Sequence, residues 1–373
     1  MTTVRVAITG AHGFIGRNLQ VRLQELQRFE VAPVTRTTTD HARRAIFGAA
    51  DAVVHLAGVN RPVDPAQFAV GNADLTTAIC TELRAGSRAI PLVYASSTQA
   101  ELDNPYGRSK RDAENAILQY ALDTDVGAAI LRLPNVFGKW ARPNYNSAVA
   151  TFCHNIARGL PVRVHDAAAA LQLMYVDDVV DTIVALLDGG VAARGLVPVG
   201  PIHATTVGLV ADVIQRFADS RDSLDMPPVG SGLMRALYAT YVSALPVERF
   251  AYALRRHEDP RGVFAEMLRT TDSGQFSFFS AHPGVTRGGH YHHTKTEKFL
   301  VVQGLARFGF RHVVTSEQHE IVVDGRESRV VETVPGWVHD ITNIGTEELI
   351  VLLWANEVFD PLKPDTIPAR VSE

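Results

Sequence analysis

A chain of 373 residues exceeds what one hydrophobic core usually supports, so two domains are expected, and 46% hydrophobic with 20% charged residues excludes a disordered or fibrous class. A formal charge of -4 leaves no electrostatic footprint for nucleic acid, and two cysteines, Cys80 and Cys153, are too few for a disulfide framework and fit a reduced cytoplasm. No apolar run approaches the roughly 20 residues that cross a bilayer, and the opening apolar segment lacks the flanks of a signal peptide, so neither membrane association nor export is expected.

Up to about residue 200, short β-branched runs alternate with helix-patterned stretches, the mark of βαβ units in a doubly wound parallel sheet. Strands are expected over 4–9, 29–35, 52–56, 91–95 and 128–133, with helices over 16–25, 73–85, 110–122 and 206–218. A connector over 226–260, rich in turn residues, carries an apolar segment over 233–245. Beyond it come short strands over 276–279, 298–302, 306–310, 320–323, 328–333 and 348–353 with no helices between them, a barrel or sandwich texture. The domains are therefore taken as 1–245, a nucleotide-binding α/β domain, and 246–373, an all-β barrel. Histidine is redistributed as well, because seven of the fourteen lie after residue 280.

Gly10, Gly13 and Gly16 follow the first strand and open the first helix, where a glycine-rich turn brings backbone N–H groups against a pyrophosphate. Phe14 and Ile15 lie within the same turn. The second strand ends in Arg36, with no acid until Asp40, and a guanidinium there suits a 2′-phosphate, so NADP(H) is the expected cofactor. A solvated surface arginine is the alternative, and Arg17 is placed to assist.

Tyr106 and Lys110 stand four residues apart, neighbours on one helix face. A cation beside a phenol lowers its pKa, which would let Tyr106 exchange a proton with a carbonyl oxygen near neutrality, while Lys110 holds the nicotinamide ribose. The strand before them ends in Ser96-Ser97-Thr98, so a hydroxyl at the sheet edge can reach the same oxygen. The combination resembles the extended short-chain dehydrogenase/reductase family, whose Ser/Tyr/Lys set matches Ser97, Tyr106 and Lys110. Ser96 and Thr98 remain alternatives to Ser97. The resemblance further implies that Leu56, Ala57 and Gly58, after His55, lie under the cofactor, that Asn72 is the helix-borne asparagine, and that Leu133 and Pro134, in the run Arg132 to Gly138, flank the nicotinamide. Asp177 and Asp178 match a late motif near the sugar pocket, with helix capping an equal alternative.

Gly284, His290, His292, Glu297 and Gly304 reproduce the spacing of the first cupin motif, and His339 follows in a stretch close to the second. Alternate strand residues share a face, so His290 and His292 point into one lumen, Tyr291 and His293 point away, and a partner strand supplies Glu297. Three imidazoles and a carboxylate suit a divalent ion, zinc first, with iron, manganese or nickel possible. One departure stands out, because Gly336 follows Pro335 directly where the second motif has an intervening residue.

A reductase of this kind joined to a cupin resembles, over essentially the whole chain, the bifunctional capsular polysaccharide enzymes called CapF or WbjC. That resemblance implies a UDP-linked 4-keto-6-deoxy-N-acetylhexosamine substrate. In that family the cupin epimerises C3, and the reductase then reduces C4 with NADPH to UDP-N-acetyl-6-deoxy-talosamine, a precursor of N-acetyl-L-fucosamine; a cytoplasmic homodimer is expected. Two rivals stand beside this reading: a keto-sugar reductase whose cupin only stabilises a dimer, and a non-catalytic NADPH-binding redox-sensing scaffold.

Overall fold

The computed structural model describes residues 3–254, 257–259, 262–264, 267–268, 270, 274–357 and 360–372. Contacts divide the chain into two compact units that are not separated by a single cut. Residues through Phe137, Tyr145–Ser147 and Leu171–Thr205 make the first; Gly138–Asn144, Ala148–Ala170 and the chain from Thr206 on make the second.

In the first unit the chain runs β1 (Val4–Thr9), α1 (Phe14–Glu25), β2 (Phe29–Val34), α2 (Asp40–Ala49), β3 (Ala52–His55), α3 (Leu75–Arg84), β4 (Leu92–Ser97), α4 (Pro105–Thr124) and β5 (Ala128–Leu133). It continues with β6 (Asn135–Phe137) and, after α5 (Ala148–Ala157), with β7 (Ala170–Tyr175), α6 (Val176–Asp188), β8 (Arg194–Leu196) and β9 (His203–Thr206). Six strands form one parallel sheet in the order β2-β1-β3-β4-β5-β8. The order reverses between β1 and β3, and a crevice opens at the carboxyl ends of strands at such a reversal.

Each face of the sheet needs its own helical cover, which is why successive residues of β1 serve different cores. Val6 and Ile8 pack with Leu19 and Leu23 of α1 and with Val179, Ile183 and Leu187 of α6. Ala7 faces the other way, toward Phe47 of α2, Ile79 and Leu83 of α3, and Ile117 and Tyr120 of α4. Helices α2, α5 and α6 were not anticipated from periodicity. Helix α4 also begins earlier than the apolar pattern suggests, because Asn104 caps it, accepting from Gly107 N at 2.8 Å, and Pro105 presets its first turn. Tyr106 therefore sits in the first helical turn and Lys110 in the next.

The second unit holds α5, α7 (Val207–Ser223), α8 (Gly232–Ser243) and an antiparallel β barrel. Its strands are β10 (Ala251–Ala253), β11 (His257–Asp259), β12 (Gly262–Phe264), β13 (Gln275–Ala281), β14 (Thr286–Tyr291), β15 (Glu297–Gln303), β16 (Leu305–His312), β17 (Gln318–Asp324), β18 (Arg329–Glu332), β19 (Trp337–Asn343), β20 (Leu349–Ala355) and β21 (Ile367–Pro368). Two five-stranded sheets, β10-β18-β15-β20-β13 and β17-β16-β19-β14-β21, supply its walls. Their inner faces meet through aromatic side chains: the Phe299 ring lies 5.8 Å from Phe308, and Phe250 lies 5.6 Å from Phe310 and 5.2 Å from Trp337. Aromatic pairs of this geometry add roughly 0.5–1.5 kcal/mol each beyond their buried area. The architecture is thus a doubly wound α/β unit and an all-β cupin-type barrel, as the two textures of the sequence suggest. Part of the 226–260 connector, at 255–256 and 260, lies outside the described residues. Among the described residues no helix is long and apolar enough to cross a membrane.

Candidate functional site

Glycine is required in the first turn by chain-on-chain packing. Gly10 has φ +69°, and a Cβ there would lie 2.7 Å from Ala57 N; at Gly16 a Cβ would lie 2.4 Å from Gly10 O. Gly13 caps α1 without any side-chain acceptor, and the first turn of α1 holds no acid, which leaves its N–H groups and positive end for an anion. Phe14 and Ile15 are half-buried at the same end. Arg36 is exposed in the turn after β2, and Arg17 donates to His12 O at 3.0 Å.

Leu56, Ala57 and Gly58 leave β3 beside this turn. Ala57 N donates to Thr9 Oγ1 at 3.3 Å, and a Cβ on Gly58 would lie 2.7 Å from Asn72 Oδ1. Asn72 sits in a π-helical turn, Ala69–Asp74, buried at 1% exposure. It bonds both polar groups of Val59, at 2.8 and 2.9 Å, and donates to Ser109 Oγ at 3.0 Å. His55 is enclosed below, with Nδ1 2.6 Å from Thr9 Oγ1 and Nε2 3.0 Å from Thr76 Oγ1, stacked on Tyr94. Burial, with Lys110 nearby, pushes its pKa down to about 3.

The three hydroxyls at the end of β4 separate by environment. Ser96 is buried and donates to Glu114, which is also held by Arg132 through 2.7 and 3.0 Å bonds. Thr98 is exposed at the start of a short 3-10 turn. Ser97, half-buried at the end of β4, is the hydroxyl beside the Tyr106 phenol, and its Oγ accepts from Gln99 N at 3.2 Å. Burial raises the Tyr106 phenol above its ordinary value and the Ser97 hydroxyl beside it draws it back, so the expected lowered pKa is corrected: desolvation outweighs stabilisation of the phenolate. Lys110 directs its ammonium elsewhere, donating to Ala95 O at 3.0 Å and Tyr94 Oη at 3.2 Å, and burial pushes it down to about 8. It also lies beside Gly58, whose added Cβ would come within 3.6 Å of Nζ. Leu133 and Pro134 end β5 at the same carboxyl edge of the sheet. Asp177 and Asp178 occupy the first turn of α6, facing its positive end.

In the barrel, His290, His292, Glu297 and His339 each offer a ligand atom, all within 4.8 Å of one another. The β14–β19 ladder sets His290 opposite His339 after a bulge at Gly288 and Gly289, and β15 brings Glu297. His292 Nε2 lies 3.2 Å and His339 Nε2 3.4 Å from Glu297 Oε2, while Lys295 Nζ lies 3.2 Å from Oε1. Burial, with His339 and His292 beside it, pushes His290 down to about 3. Burial also lowers His339; against its own burial, Glu297 is held well below the usual range by the His292 and His339 rings that face it. Burial that disfavours protonation of His290 and His339, beside an ionised carboxylate, matches the states that a divalent ion needs in its ligands. Gly336, at φ +80°, donates to His292 O at 2.9 Å, so the shortened second motif still delivers His339 to the cluster. A cavity of about 220 Å³ adjoins His290, Glu297 and His339, walled by Phe279, Phe299, Phe308 and Phe310 with Arg287 and Thr333. Tyr94, Glu114 and Asp365 also hold site residues and had no signal in spacing.

Residues 6–197 match the NAD dependent epimerase/dehydratase family and residues 257–367 the polysaccharide biosynthesis C-terminal domain. The chain is 53% identical over 370 residues, 99% of its own length and 100% of the relative's, to UDP-2-acetamido-2,6-beta-L-arabino-hexul-4-ose reductase of Pseudomonas aeruginosa. The chain belongs to the NAD dependent epimerase/dehydratase family. Within it, the resemblance to the CapF/WbjC enzymes holds along the whole chain: the capsular polysaccharide assembling protein CapF of Staphylococcus aureus superposes with TM-score 0.68 at 38% identity, over 99% of this chain and 100% of that one. A solved structure of RMD from Pseudomonas aeruginosa complexed with NADPH, 25% identical, matches 58% of this chain and 83% of that one with TM-score 0.51. The chain is an oxidoreductase of this family, with a nicotinamide-cofactor fold and an appended barrel.

Proposed function

We propose that the first unit reduces the C4 ketone of a UDP-linked 4-keto-6-deoxy-N-acetylhexosamine with NADPH, after the barrel has inverted C3 of the same sugar. The reading rests above all on one arrangement, Ser97 at the end of β4 with Tyr106 and a buried Lys110 on successive turns of α4. It is supported by the relative whose name is a UDP-sugar hexul-4-ose reductase.

When bound, NADPH supplies the hydride. Tyr106, kept protonated by burial, donates its proton to the ketone oxygen as negative charge develops there, and Ser97 hydrogen-bonds the same oxygen. Lys110, half-protonated near pH 8, binds ribose hydroxyls in this reading, with Tyr94 and Ala95 O fixing its head. Gly10, Gly13 and Gly16 with the open end of α1 receive the pyrophosphate, Leu56, Ala57 and Gly58 underlie it, and Arg36 meets the 2′-phosphate.

A divalent ion, zinc first, fits the barrel cluster because a buried carboxylate and three imidazoles bring their ligand atoms within 4.8 Å of one another. Such an ion would stabilise negative charge on the sugar's ketone oxygen when C3 loses its proton. His290, His292, Glu297 and His339 would hold it, and the aromatic walls would exclude water from the sugar ring. A cytoplasmic homodimer completes the proposal and is checked by sedimentation.

The deciding experiment incubates the full chain with UDP-4-keto-6-deoxy-N-acetylglucosamine and NADPH in D2O. NADPH consumption, deuterium at C3 and a 6-deoxy-talo product by NMR are expected. Reduction without deuterium at C3 would leave a reductase with an inert barrel.

A further inference from the structure

The chain's last described segment returns to the strand that carries the barrel's imidazoles. Residues Ile367–Pro368 pair with β14, Pro368 opposite His290 and Ile367 opposite Tyr291, and Ala369 N donates to Gly289 O at 3.0 Å. Just before this strap, Asp365 reaches the loop between β14 and β15, which lacks strand partners of its own. Its Oδ1 accepts from His293 N at 2.8 Å; its Oδ2 accepts from Thr294 N at 2.6 Å, Lys295 N at 2.8 Å and Thr294 Oγ1 at 3.0 Å. One carboxylate thus accepts from three consecutive backbone donors of that loop.

The main-chain carbonyl of the same residue meets the ring of His292 at Nδ1. A carbonyl only accepts, so Nδ1 must carry a proton, which leaves Nε2 as the ring's ligating atom. Nε2 is the atom that faces Glu297, 3.2 Å away within the four-residue cluster. Asp365 therefore acts on His292 twice: its carboxylate fixes the loop that bears the imidazole, and its carbonyl fixes the tautomer.

We infer that Asp365 is a positioning residue for a divalent ion in the barrel, setting the tautomer and aim of His292 from 73 residues away. This rests on reading His290, His292, Glu297 and His339 as ligands. Outer-shell partners that orient a ligating imidazole typically change metal affinity by about 10–100-fold. A strap that served only to hold the barrel shut would alter stability while leaving affinity and ligand field alone.

The test uses the full chain freed of metal, titrated with Co2+ and followed by visible absorption, and then with Zn2+ against a chromophoric chelator. The natural sequence, Asp365→Asn, Asp365→Ala, His290→Ala and, as a control in the same tail, Asp360→Asn are compared, with circular dichroism reporting the folded fraction. One Co2+ per chain is expected for the natural sequence and for Asp360→Asn. Asp365→Ala is expected to bind about 10–100-fold more weakly with shifted d–d bands, and Asp365→Asn, which keeps one acceptor oxygen, to fall between. If Asp365→Ala folds poorly, the band shift of Asp365→Asn decides. Uptake lost in His290→Ala but unchanged, in affinity and spectrum, in both Asp365 variants overturns this inference alone. No uptake by the natural sequence overturns the ligand reading and this inference with it.

Discussion

The buried His55 and the half-buried His290 are both imidazoles pushed down to a pKa of about 3, yet they do different work. In the α/β unit both nitrogens of His55 are matched to threonine hydroxyls, at 2.6 and 3.0 Å, so the ring is a satisfied strut beneath the loop that supports Gly58. In the barrel the rings of His290, His292 and His339 crowd one another, with centroids 4.6 to 5.2 Å apart, and two of them converge on one carboxylate. A depressed pKa measures burial, whereas the pattern of partners distinguishes a structural imidazole from a ligand. The same contrast separates Ser96, engaged with Glu114, from Ser97, engaged with Tyr106.

The largest expected effects break the molecule's two chemistries apart. Tyr106→Phe removes the proton donor while keeping the ring that packs on Phe68, so NADPH-dependent reduction is expected to fall by about 10²–10⁴-fold with C3 exchange in D2O unchanged. Loss of both would mean that a single site performs both steps. His290→Ala should do the reverse, reducing bound metal and C3 exchange by about 100-fold or more while NADPH binding, read by fluorescence, stays intact. These two variants form the sharpest test of independent sites.

A smaller effect sharpens the distinction between strut and ligand. The folded state keeps His55 neutral to about pH 3, whereas the unfolded chain takes up that proton below about 6.5. The unfolded state then binds more protons across the window from 6.5 to 3, so stability falls as pH falls through it. At pH 5 this group alone removes about 2 kcal/mol relative to pH 7. Urea unfolding at pH 7 and 5 should show that slope in the natural sequence and lose that part of it in His55→Gln. An identical slope in both would show that the ring is not held neutral.

Where a function depends on residues close in sequence, much of this was legible in advance. The glycine turn, the Tyr106–Lys110 step and the His290-x-His292 alternation are local patterns, and β5 falls where the β-branched run places it, at Ala128–Leu133. Helix starts set by capping were less visible: Asn104 and Pro105 begin α4 ahead of its apolar stripe, and Thr39 caps the unanticipated α2. Long-range polar matching was not visible at all. Asp365 meets His292 across 73 residues, and Glu332 pairs with both Lys298 and Arg221 from different elements, all three nearly fully buried. Such groups look like surface charges until the fold removes them from water. The phenol's pKa was misjudged for the same reason, because helical spacing states which groups are neighbours but not how much water remains.

The smallest predicted effect concerns the proposed contact of Arg36 with the cofactor. Arg36 is exposed in the turn after β2, so its attraction to a 2′-phosphate acts through water and is screened over about 8–10 Å at ordinary salt. A charge-assisted bond there is worth roughly 1–1.5 kcal/mol once discounted for exposure, against more for a buried pair. Arg36→Ala should therefore lower the ratio of kcat/KM for NADPH over NADH by about fivefold to tenfold, through KM, with kcat unchanged. Because the interaction is screened, the difference between Arg36→Ala and the natural sequence should shrink as NaCl is raised from 50 mM toward roughly 500 mM, a dependence that the glycine turn, which carries no net charge, would not produce. A preference that survives Arg36→Ala at low salt would place the 2′-phosphate against another cation, Arg17 first, since it stands at the same end of α1.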